Sequence, residues 1–368
     1  MKNIIKVCFI ANLFPSVRDP SFGSFVGKNY QHLKEVNYDI TETIVIDERV
    51  VGFRKLITYM VFIFKGFFKI FKGNYDFIYI HYLTYSTIPL LPYLFFGNPI
   101  YVVNIHGDDL VGEGRIHKVM GMFSNIILSK SKALVVPSLY FKDELIKRYP
   151  HVNKEKIIVS PSSGFDEKVF FPARKTFNSE QLKLGYVSRI DEGKGWQELL
   201  QALVLIRKTT PNVYAQLSLD IYGTGSQVSE LNQQLADYNL RDKVAYFGAL
   251  EQKELGSKYR EFDAFVFPTH RESFGLVAIE AMACGIPVLA SDIRPVNDIV
   301  EHNSTGLLFK RGCAKSIADA IVEFALMPTE RKHELGVGAQ LSVIEYGSVQ
   351  VREKLKLDLH FALNKEEI

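Results

Sequence analysis

Cysteine is scarce in this chain, with only three among 368 residues. Cys8, Cys284 and Cys313 lie far apart in the sequence and form no C-x-x-C pair, which excludes a disulfide framework and a metal site of that spacing. The few cysteines therefore favour a reducing compartment. The N-terminus lacks the apolar core and the small-residue cleavage site of a secretory signal, so we expect the protein in the cytoplasm.

Uninterrupted apolar runs and low-complexity tracts are missing as well. Residues 77–107 form the longest stretch without a formal charge and exceed the roughly 20 residues that span a bilayer, but Pro89, Pro92 and Pro99 divide them. We expect a short helix, a turn and a buried strand there. With 47% hydrophobic and 23% charged residues, the composition is that of a globular protein and excludes intrinsic disorder.

The chain contains two successive series of strand-like runs that alternate with helical patterns. One hydrophobic core stops growing near about 250–300 residues, so a chain of 368 residues is expected to form two domains. The first series begins at Ile4 and the second at Leu182, and each alternation indicates a doubly wound parallel sheet. The predicted fold class is therefore α/β, with two Rossmann-like domains that face a central cleft and join near residues 170–178.

Positive charge is concentrated in the first half of the chain. Residues 1–170 carry 21 Lys and Arg against 15 Asp and Glu. Much of this excess lies in residues 49–75, which contain six basic residues, eight aromatic residues and no acidic residue. At about 100° per residue of helix, one stripe of this segment is cationic and the rest is apolar. The residues of the cationic stripe are Arg54, Lys65, Lys69 and Lys72.

A helix of this composition has three interpretations. It can lie on an anionic membrane surface, to which each basic residue contributes up to about 1 kcal/mol of attraction. It can also be an ordinary core-packing helix with a solvated lysine edge. Nucleic-acid binding is the least favoured interpretation, because the charge is confined to one helix and no recognition motif accompanies it. We favour an anionic membrane surface, contacted by residues 49–75, as a partner.

The segment from Gly185 to Trp196 links a buried strand to a helix that starts near Gln197. Its Gly-Lys-Gly turn lets the backbone approach a ligand closely, and the N-terminus of the following helix is electropositive. Arg189 and Lys194 add two full positive charges. The segment is neither a Walker A loop nor G-x-G-x-x-G, which disfavours ordinary ATPases and NAD enzymes. It indicates a diphosphate site, although a Gly-Lys-Gly turn alone is equally compatible with a solvated loop.

A second segment, residues 265–288, places two carboxylates about a helix start. The strand-like run ends at Pro268, the next loop holds Glu272, and a helix rich in small residues follows and ends at Gly285. Glu280 lies within that apolar helix, where an ionised carboxylate needs hydrogen-bond donors. Ribose hydroxyls would supply such donors, and a salt bridge to a lysine is the alternative.

These motifs resemble the donor-site signature of the family 4 retaining glycosyltransferases, which have the GT-B fold. The resemblance rests on Arg189 with Lys194, and on Glu272 with Glu280 in an E-x7-E arrangement. It is strong for residues 182–310 and looser before them. It implies an acceptor-side domain at residues 1–170 and a nucleotide-sugar-binding domain at residues 171–345. A C-terminal helix at residues 346–368 would return to the first domain.

The resemblance also implies a role for each matching residue. Arg189 and Lys194 would bind the donor diphosphate and stabilise its charge as it leaves. Glu280 would hold the ribose, and Glu272 would face the donor sugar. The backbone N–H groups that would assist at the diphosphate are those of Phe274, Gly275 and Leu276.

In the first half, Ile105-His-Gly-Asp-Asp is similar to the H-G-x-D stretch of the family. His106 would therefore contact the donor sugar near the reaction centre, although a histidine after a buried strand is often structural. The first loop offers one glycine, Gly23, where the family commonly has a pair, and we expect Gly23 over the cleft. A further departure is residues 160–166, Ser-Pro-Ser-Ser-Gly-Phe-Asp, where the family usually has Pro-Asn-Gly-Val-Asp.

The resemblance implies a retaining glycosyltransferase (EC 2.4) of cell-surface polysaccharide biosynthesis, with a UDP- or GDP-sugar donor and a glycan or lipid-linked acceptor. No Asp-x-Asp pair stands in a suitable context, so we expect metal-independent transfer without a cofactor, in which Arg189 and Lys194 replace a metal ion. The expected location is the inner face of the membrane. The alternatives are a GT-B sugar-nucleotide epimerase and a non-catalytic nucleotide-binding scaffold.

Overall fold

The computed structural model describes residues 5–20, 22–36, 38–112, 115–173, 177 and 180–363. Part of the join expected near residues 170–178 lies outside these described residues. The chain forms two compact units: unit 1 comprises Met1–Ser163 with Val349–Ile368, and unit 2 comprises Gly164–Ser348. The chain therefore changes unit twice, each time a few residues from the domain boundaries that the sequence suggested.

Unit 1 is built on a sheet of six parallel strands, in the order β2-β1-β3-β4-β5-β6. The strands are β1 (Ile5–Ala11), β2 (Tyr38–Val45), β3 (Phe77–His81), β4 (Tyr101–Asn104), β5 (Ala133–Val136) and β6 (Ile157–Val159). All residues of β3, β4 and β5 are buried, as expected for strands with helices on both faces of a parallel sheet.

In the first part of the chain, the described residues form six helices that belong to unit 1. They are α1 (Ser24–Glu35), α2 (Gly52–Lys72), α3 (Leu91–Phe96), α4 (Asp108–Val111), α5 (Arg115–Lys130) and α6 (Leu139–Arg148). Two short 3-10 segments, Tyr85–Leu90 and Lys154–Lys156, accompany them. The stretch that the sequence analysis divided at its prolines thus contains β3, a 3-10 segment, α3 and β4.

Unit 2 has a second sheet of six parallel strands, in the order β12-β11-β10-β7-β8-β9. Its strands are β7 (Leu182–Val187), β8 (Leu217–Tyr222), β9 (Val244–Gly248), β10 (Ala264–Phe267), β11 (Val288–Ser291) and β12 (Gly306–Phe309). The predicted fold class is confirmed in each unit: both are doubly wound parallel sheets.

Seven helices in the described part of unit 2 surround this second sheet. They are α7 (Trp196–Thr209), α8 (Pro211–Gln216), α9 (Val228–Asp237), α10 (Gln252–Glu261), α11 (Leu276–Ala283), α12 (Ala314–Leu326) and α13 (Thr329–Ser342). Short 3-10 segments occur at Val296–Asp298 and Ile344–Tyr346. The last helix, α14 (Ser348–Leu363), buries Val351, Leu355 and Leu359, and its Leu355 and Leu359 pack into a core cluster of unit 1.

Each sheet contains one point at which the strand order reverses. In unit 1 this point lies between β1 and β3, and in unit 2 it lies between β10 and β7. In open parallel sheets, ligands bind beyond the carboxyl ends of the strands at such a reversal, because the loops that follow the two strands diverge there. In unit 2 the loops at this reversal are residues 188–195 and 268–275.

Within the described residues, none of the helices combines the length and the hydrophobicity needed to cross a bilayer. The longest of them, α2, buries only Phe62, Gly66 and Ile70. Gly66 allows the helix to lie against the neighbouring 3-10 segment, since an added Cβ would stand 2.8 Å from the Cβ of Pro89. One edge of α2 thus packs on the unit, and the rest faces outward.

Candidate active site

The loops after β7 and β10 lie against each other in unit 2. The backbone N–H of His270, in the second loop, donates to the carbonyl of Gly193 in the first at 2.8 Å. Gly195 has a φ of 75°, and a Cβ there would stand 2.0 Å from the carbonyl oxygen of Pro268. Only glycine allows both this backbone conformation and this close approach. The Gly-Lys-Gly turn therefore packs against the backbone at the carboxyl end of β10.

Lys194 and Glu272 meet where these loops join. Lys194 Nζ lies 3.1 Å from Glu272 Oε2, and the two side chains are 16% and 21% exposed. The second carboxylate oxygen, Oε1, accepts a hydrogen bond of 3.0 Å from the backbone N–H of Ser273. The carbonyl of Lys194 accepts a hydrogen bond of 3.1 Å from the hydroxyl of Tyr186, on β7. A cation and a carboxylate are thus held side by side at the reversal point.

Arg189 belongs to the same loop but does not join this pair. Its side chain is 72% exposed and forms an ion pair of 2.9 Å with Asp191. Asp191 is in turn fixed by Ser226, whose backbone N–H and hydroxyl donate to Asp191 Oδ1 at 2.7 and 2.8 Å. These hydrogen bonds, with the nearby Arg189 and Lys194, lower the pKa of Asp191. Asp191 therefore stays ionised and can keep its ion pair with Arg189.

The helix α11 begins at Leu276, four residues after Glu272. Gly275, its N-cap, has a φ of 93°, in the left-handed region that favours glycine. Phe274 is buried, with its ring 5.4 Å from that of Tyr346, which anchors the turn. The first backbone N–H groups of an α-helix have no acceptor within the helix, so those of Gly275 and Leu276 lie at a position able to bind an anion.

Glu280 lies on α11 and is almost completely buried, with 2% of its surface exposed. Its Oε1 accepts a hydrogen bond of 2.6 Å from the side-chain amide of Gln252, the first residue of α10. Burial raises the pKa of the nearby Tyr259 hydroxyl, and the Glu280 carboxylate acts in the same direction. This amide donor is a contact that the sequence analysis did not consider.

The candidates of unit 1 lie at the same edge of its sheet. Gly23 is the N-cap of α1, with a φ of 72°, and a Cβ there would stand 2.3 Å from Leu13 Cδ1. His106 follows β4, and its ring nitrogen Nε2 lies 2.7 Å from Nδ1 of His81, the last residue of β3. Sequence analysis missed His81, because it ends a fully buried strand and looks like a core residue.

Asp109 has a structural part in this unit. It is buried, and its two oxygens accept hydrogen bonds from the backbone N–H groups of Leu83, at 2.8 Å, and His106, at 2.9 Å. Burial raises its pKa to about 6. The carboxylate therefore joins the loops that follow β3 and β4. Asp108, its neighbour, is exposed.

The structure thus brings Lys194 and Glu272 into contact, places Arg189 on the same loop, and places Glu280 further along the helix that follows Glu272. In the described part of the chain, no three His, Cys, Asp or Glu side chains are grouped so that they could hold a metal ion. Gln252 is a second residue that sequence reasoning missed, since no local pattern connects it with Glu280.

Comparisons with known proteins find a matching family model for each half of the chain. The model described as Glycosyltransferase Family 4 matches residues 22–162, and the model described as Glycosyl transferases group 1 matches residues 167–340. Among curated proteins, the chain is 33% identical over 188 residues to the D-inositol 3-phosphate glycosyltransferase of Paenarthrobacter aurescens, covering 49% of this chain and 45% of that protein. The chain spans about half the length of this protein and of two further D-inositol 3-phosphate glycosyltransferases that it matches.

A longer alignment is found with the N-acetyl-alpha-D-glucosaminyl L-malate synthase of Bacillus anthracis, at 25% identity over 74% of this chain and 71% of that protein. Among solved structures, the sucrose-phosphate synthase of Thermosynechococcus elongatus matches with a TM-score of 0.74 and 21% identity, over 97% of this chain and 98% of that one. Anabaena HepE in complex with UDP matches with a TM-score of 0.72 and 17% identity, over 97% and 100%. These likenesses identify the GT-B fold.

Proposed function

Since the chain belongs to the family 4 glycosyltransferases, we propose that it transfers a sugar from a nucleoside-diphosphate sugar to a glycan or lipid-linked acceptor, with retention of anomeric configuration. The proposed setting is cell-surface polysaccharide biosynthesis. The observation that carries the proposal is the contact of Lys194 with Glu272 at the reversal point of the second sheet.

The residues about this contact suit the parts of such a donor. Lys194 and the start of α11 supply positive charge and N–H groups for the diphosphate. Arg189 can join them at small cost, because its present ion pair with Asp191 is exposed and such pairs contribute only about 0–1 kcal/mol. Glu272 lies beside Lys194, where it would face the sugar that the diphosphate carries. Glu280 would hold the ribose.

The chemistry explains why the charges are arranged in this way. As the bond between the sugar and the diphosphate breaks, negative charge grows on the leaving phosphate and positive charge grows on the sugar ring. Cations at the phosphate and a carboxylate near the ring stabilise both charges, more strongly in the transition state than in the bound donor. Transfer on one face of the ring, with the leaving phosphate accepting the proton of the acceptor hydroxyl, needs no nucleophile from the protein. We propose that Arg189 and Lys194 serve in place of a metal ion.

The donor to test first is a uridine diphosphate sugar. Two of the structural neighbours, Anabaena HepE and Staphylococcus aureus TarM, were crystallised in complex with UDP. A guanosine diphosphate sugar is the second choice. A panel of purified nucleotide sugars, scored by thermal shift and by calorimetry, would identify the donor.

Product assays on the same panel, with and without an added acceptor, separate transfer from the two alternatives considered. A transferase releases the nucleoside diphosphate and lengthens an acceptor, whereas an epimerase alters the sugar, and a scaffold binds the nucleotide without turnover. Transfer is supported by nucleotide release that depends on an added acceptor. Binding without release, for every donor and acceptor tried, would contradict the proposal.

We also propose that α2 contacts an anionic membrane surface at the inner face of the membrane, where lipid-linked acceptors would be presented. Most of its large apolar side chains are exposed, including Phe53 at 76%, Phe64 at 58% and Phe71 at 69%. An open depression of about 440 Å³ on this helix is lined by Ile57, Met60, Val61, Phe64, Lys65 and Phe68. Exposed apolar area beside lysines fits a lipid surface, which offers acyl chains and negative charge together.

A further inference from the structure

A series of hydrogen-bonded polar side chains runs from α1 to His106 in unit 1. Asn29 Oδ1 lies 3.1 Å from His81 Nε2, and His81 Nδ1 lies 2.7 Å from His106 Nε2. The two imidazole rings are nearly parallel, at 12°. Asn29 is on α1, His81 ends β3 and His106 follows β4, so three separate elements hold the series in place.

Both imidazoles are neutral in this setting. His81 has no exposed surface, and burial together with the neighbouring His106 lowers its pKa well below the ordinary value. Burial lowers the pKa of His106 to about 3. A neutral imidazole has one N–H donor and one bare nitrogen acceptor, so each hydrogen bond in the series determines the direction of the next.

The direction starts at Asn29, which is buried beside Tyr79 and His81. Tyr79 is fully buried, and its hydroxyl oxygen accepts a hydrogen bond of 3.0 Å from the amide of Asn104. A hydrogen bond from Asn29 also reaches this hydroxyl, and both bonds oppose the rise that burial causes in the pKa of Tyr79. The amide nitrogen of Asn29 therefore faces Tyr79, and its oxygen faces His81 as an acceptor.

From this arrangement we infer that Asn29 and His81 are positioning residues that fix His106 in the tautomer protonated on Nε2. His81 donates its Nε2–H to Asn29 and accepts the Nε2–H of His106 on Nδ1. His106 then presents a bare Nδ1 nitrogen, for which the described residues provide no hydrogen-bond partner, on a side chain that is partly exposed. The group that this nitrogen recognises is a hydrogen-bond donor such as a sugar hydroxyl, and not an anionic phosphate oxygen.

The inference rests on the proposed function only for the identity of that hydroxyl, which would belong to the donor sugar. The tautomer itself is a property of the full chain without ligand. It can be read from two-bond nitrogen–proton correlation spectra of protein labelled with ¹⁵N at histidine. Signals of His81 and His106 are assigned by their loss in His81→Asn and His106→Gln.

In the unmodified protein at pH 7 we expect both rings to be protonated on Nε2 and bare on Nδ1. Protonation of His106 on Nδ1, or exchange between the two tautomers, would overturn the inference. The deciding spectrum is that of the unmodified protein, and a folded His106→Gln variant alone is enough to identify the signals of His106 in it.

Asn29→Asp tests the direction of the series. A carboxylate beside His81 favours the imidazolium form, which donates from both nitrogens. His106 Nε2 must then accept, and its proton moves to Nδ1, two hydrogen bonds from the substitution. Gln31→Glu, an exposed amide-to-acid change on the same helix, should leave His106 unchanged. An unchanged His106 in a folded Asn29→Asp variant whose His81 carries protons on both ring nitrogens would contradict the inference.

Transfer kinetics distinguish this inference from the proposed function. If both hold, Asn29→Asp lowers kcat by about 10-fold or more, because the hydrogen bond to the sugar is lost, while the affinity for the nucleoside diphosphate stays within about 2-fold. If His106 switches tautomer in the spectra but kcat does not change, the tautomer lock holds and the assigned role of His106 toward the sugar is wrong.

Discussion

Lys194 and Glu272 form an ion pair of 3.1 Å between the loops that follow β7 and β10, the two strands at the reversal point of the second sheet. The pair is only partly exposed, so neither charge is fully solvated in the absence of a ligand. An incoming diphosphate offers Lys194 a second anionic partner. We therefore expect that removal of Lys194 and removal of Glu272 have different effects on donor binding and turnover.

The first prediction concerns the cation. Lys194→Ala should weaken binding of the nucleoside-diphosphate sugar by about 10–100-fold, because a charge-assisted hydrogen bond contributes roughly 1.5–3 kcal/mol. Calorimetry with UDP and GDP sugars measures the change. Lys315→Ala, which removes a lysine that is 78% exposed on α12, is the control and should bind normally. Equal affinities for Lys194→Ala and the unmodified protein would contradict the assignment of Lys194 to the phosphate site.

The second prediction concerns the carboxylate. Glu272→Gln keeps the shape of the side chain and its acceptor for the Ser273 N–H but removes the negative charge near the sugar ring. We expect kcat to fall by about 10²-fold or more with donor affinity nearly unchanged, since the charge is needed mainly in the transition state. Steady-state kinetics together with calorimetry separates the two effects. A loss of affinity without a loss of kcat would place Glu272 in ground-state binding instead.

These residues show how far the sequence reaches. Glycines and charges that follow buried strands could be recognised because a Gly-Lys-Gly turn and E-x7-E are each contained in a short run of the chain. The contact between Lys194 and Glu272 depends on β7 lying next to β10, an order that no local pattern specifies. Gln252 pairs with Glu280 across 28 residues, and two helices must fold before the pair exists.

The third prediction concerns this amide and its carboxylate. Gln252→Ala removes the 2.6 Å hydrogen bond to the buried Glu280, so the free energy of unfolding should fall by about 1–3 kcal/mol, the cost of leaving a buried acceptor with fewer donors. Chemical denaturation measures this change. Added UDP should restore part of it, because ribose hydroxyls would replace the lost donor.

Glu280→Ala provides the complementary measurement. If Glu280 binds the 2′-hydroxyl of the ribose, this substitution should abolish the preference for UDP over 2′-deoxy-UDP. Gln233→Ala, an exposed amide on α9, is the control for Gln252→Ala. A Gln252→Ala variant as stable as the unmodified protein would mean that other groups already satisfy the carboxylate.

The fourth prediction concerns acid stability. His81 and His106 stay neutral when folded, with the pKa of His106 near 3, whereas the unfolded chain takes up a proton on each near the ordinary value of 6.5. Below pH 6.5 the folded state therefore binds fewer protons than the unfolded state. For each pH unit of further acidification, each histidine lowers the free energy of unfolding by about 1.4 kcal/mol. Asp109 opposes this between about 6 and 3.8, because burial raises its pKa and the folded state binds its proton first.

Urea denaturation at pH 7 and pH 5 measures the dependence. The unmodified protein should be less stable at pH 5, and His106→Gln should show a smaller difference between the two values, whatever its absolute stability. His151→Gln, at an exposed position in unit 1, is the control and should retain the full difference. A difference in His106→Gln equal to that of the control would show that His106 is protonated in the folded protein.

The last prediction concerns α2. If this helix lies on an anionic membrane, Lys65→Glu with Lys72→Glu should reduce sedimentation with phosphatidylserine vesicles by about 30-fold or more, since each lysine contributes about 1 kcal/mol of attraction. Phe68→Ser should also weaken binding, whereas Phe247→Ser should not, although the two phenylalanines are equally exposed, at 54% and 53%. Purely electrostatic adsorption would be lost at high salt and would not change on substitution of Phe68. If α2 only packs against the core, the substitutions would lower the stability of the protein instead. Binding that requires both the lysines and Phe68 is the signature of insertion into the lipid surface, and binding unchanged by all three substitutions would exclude α2 as the contact.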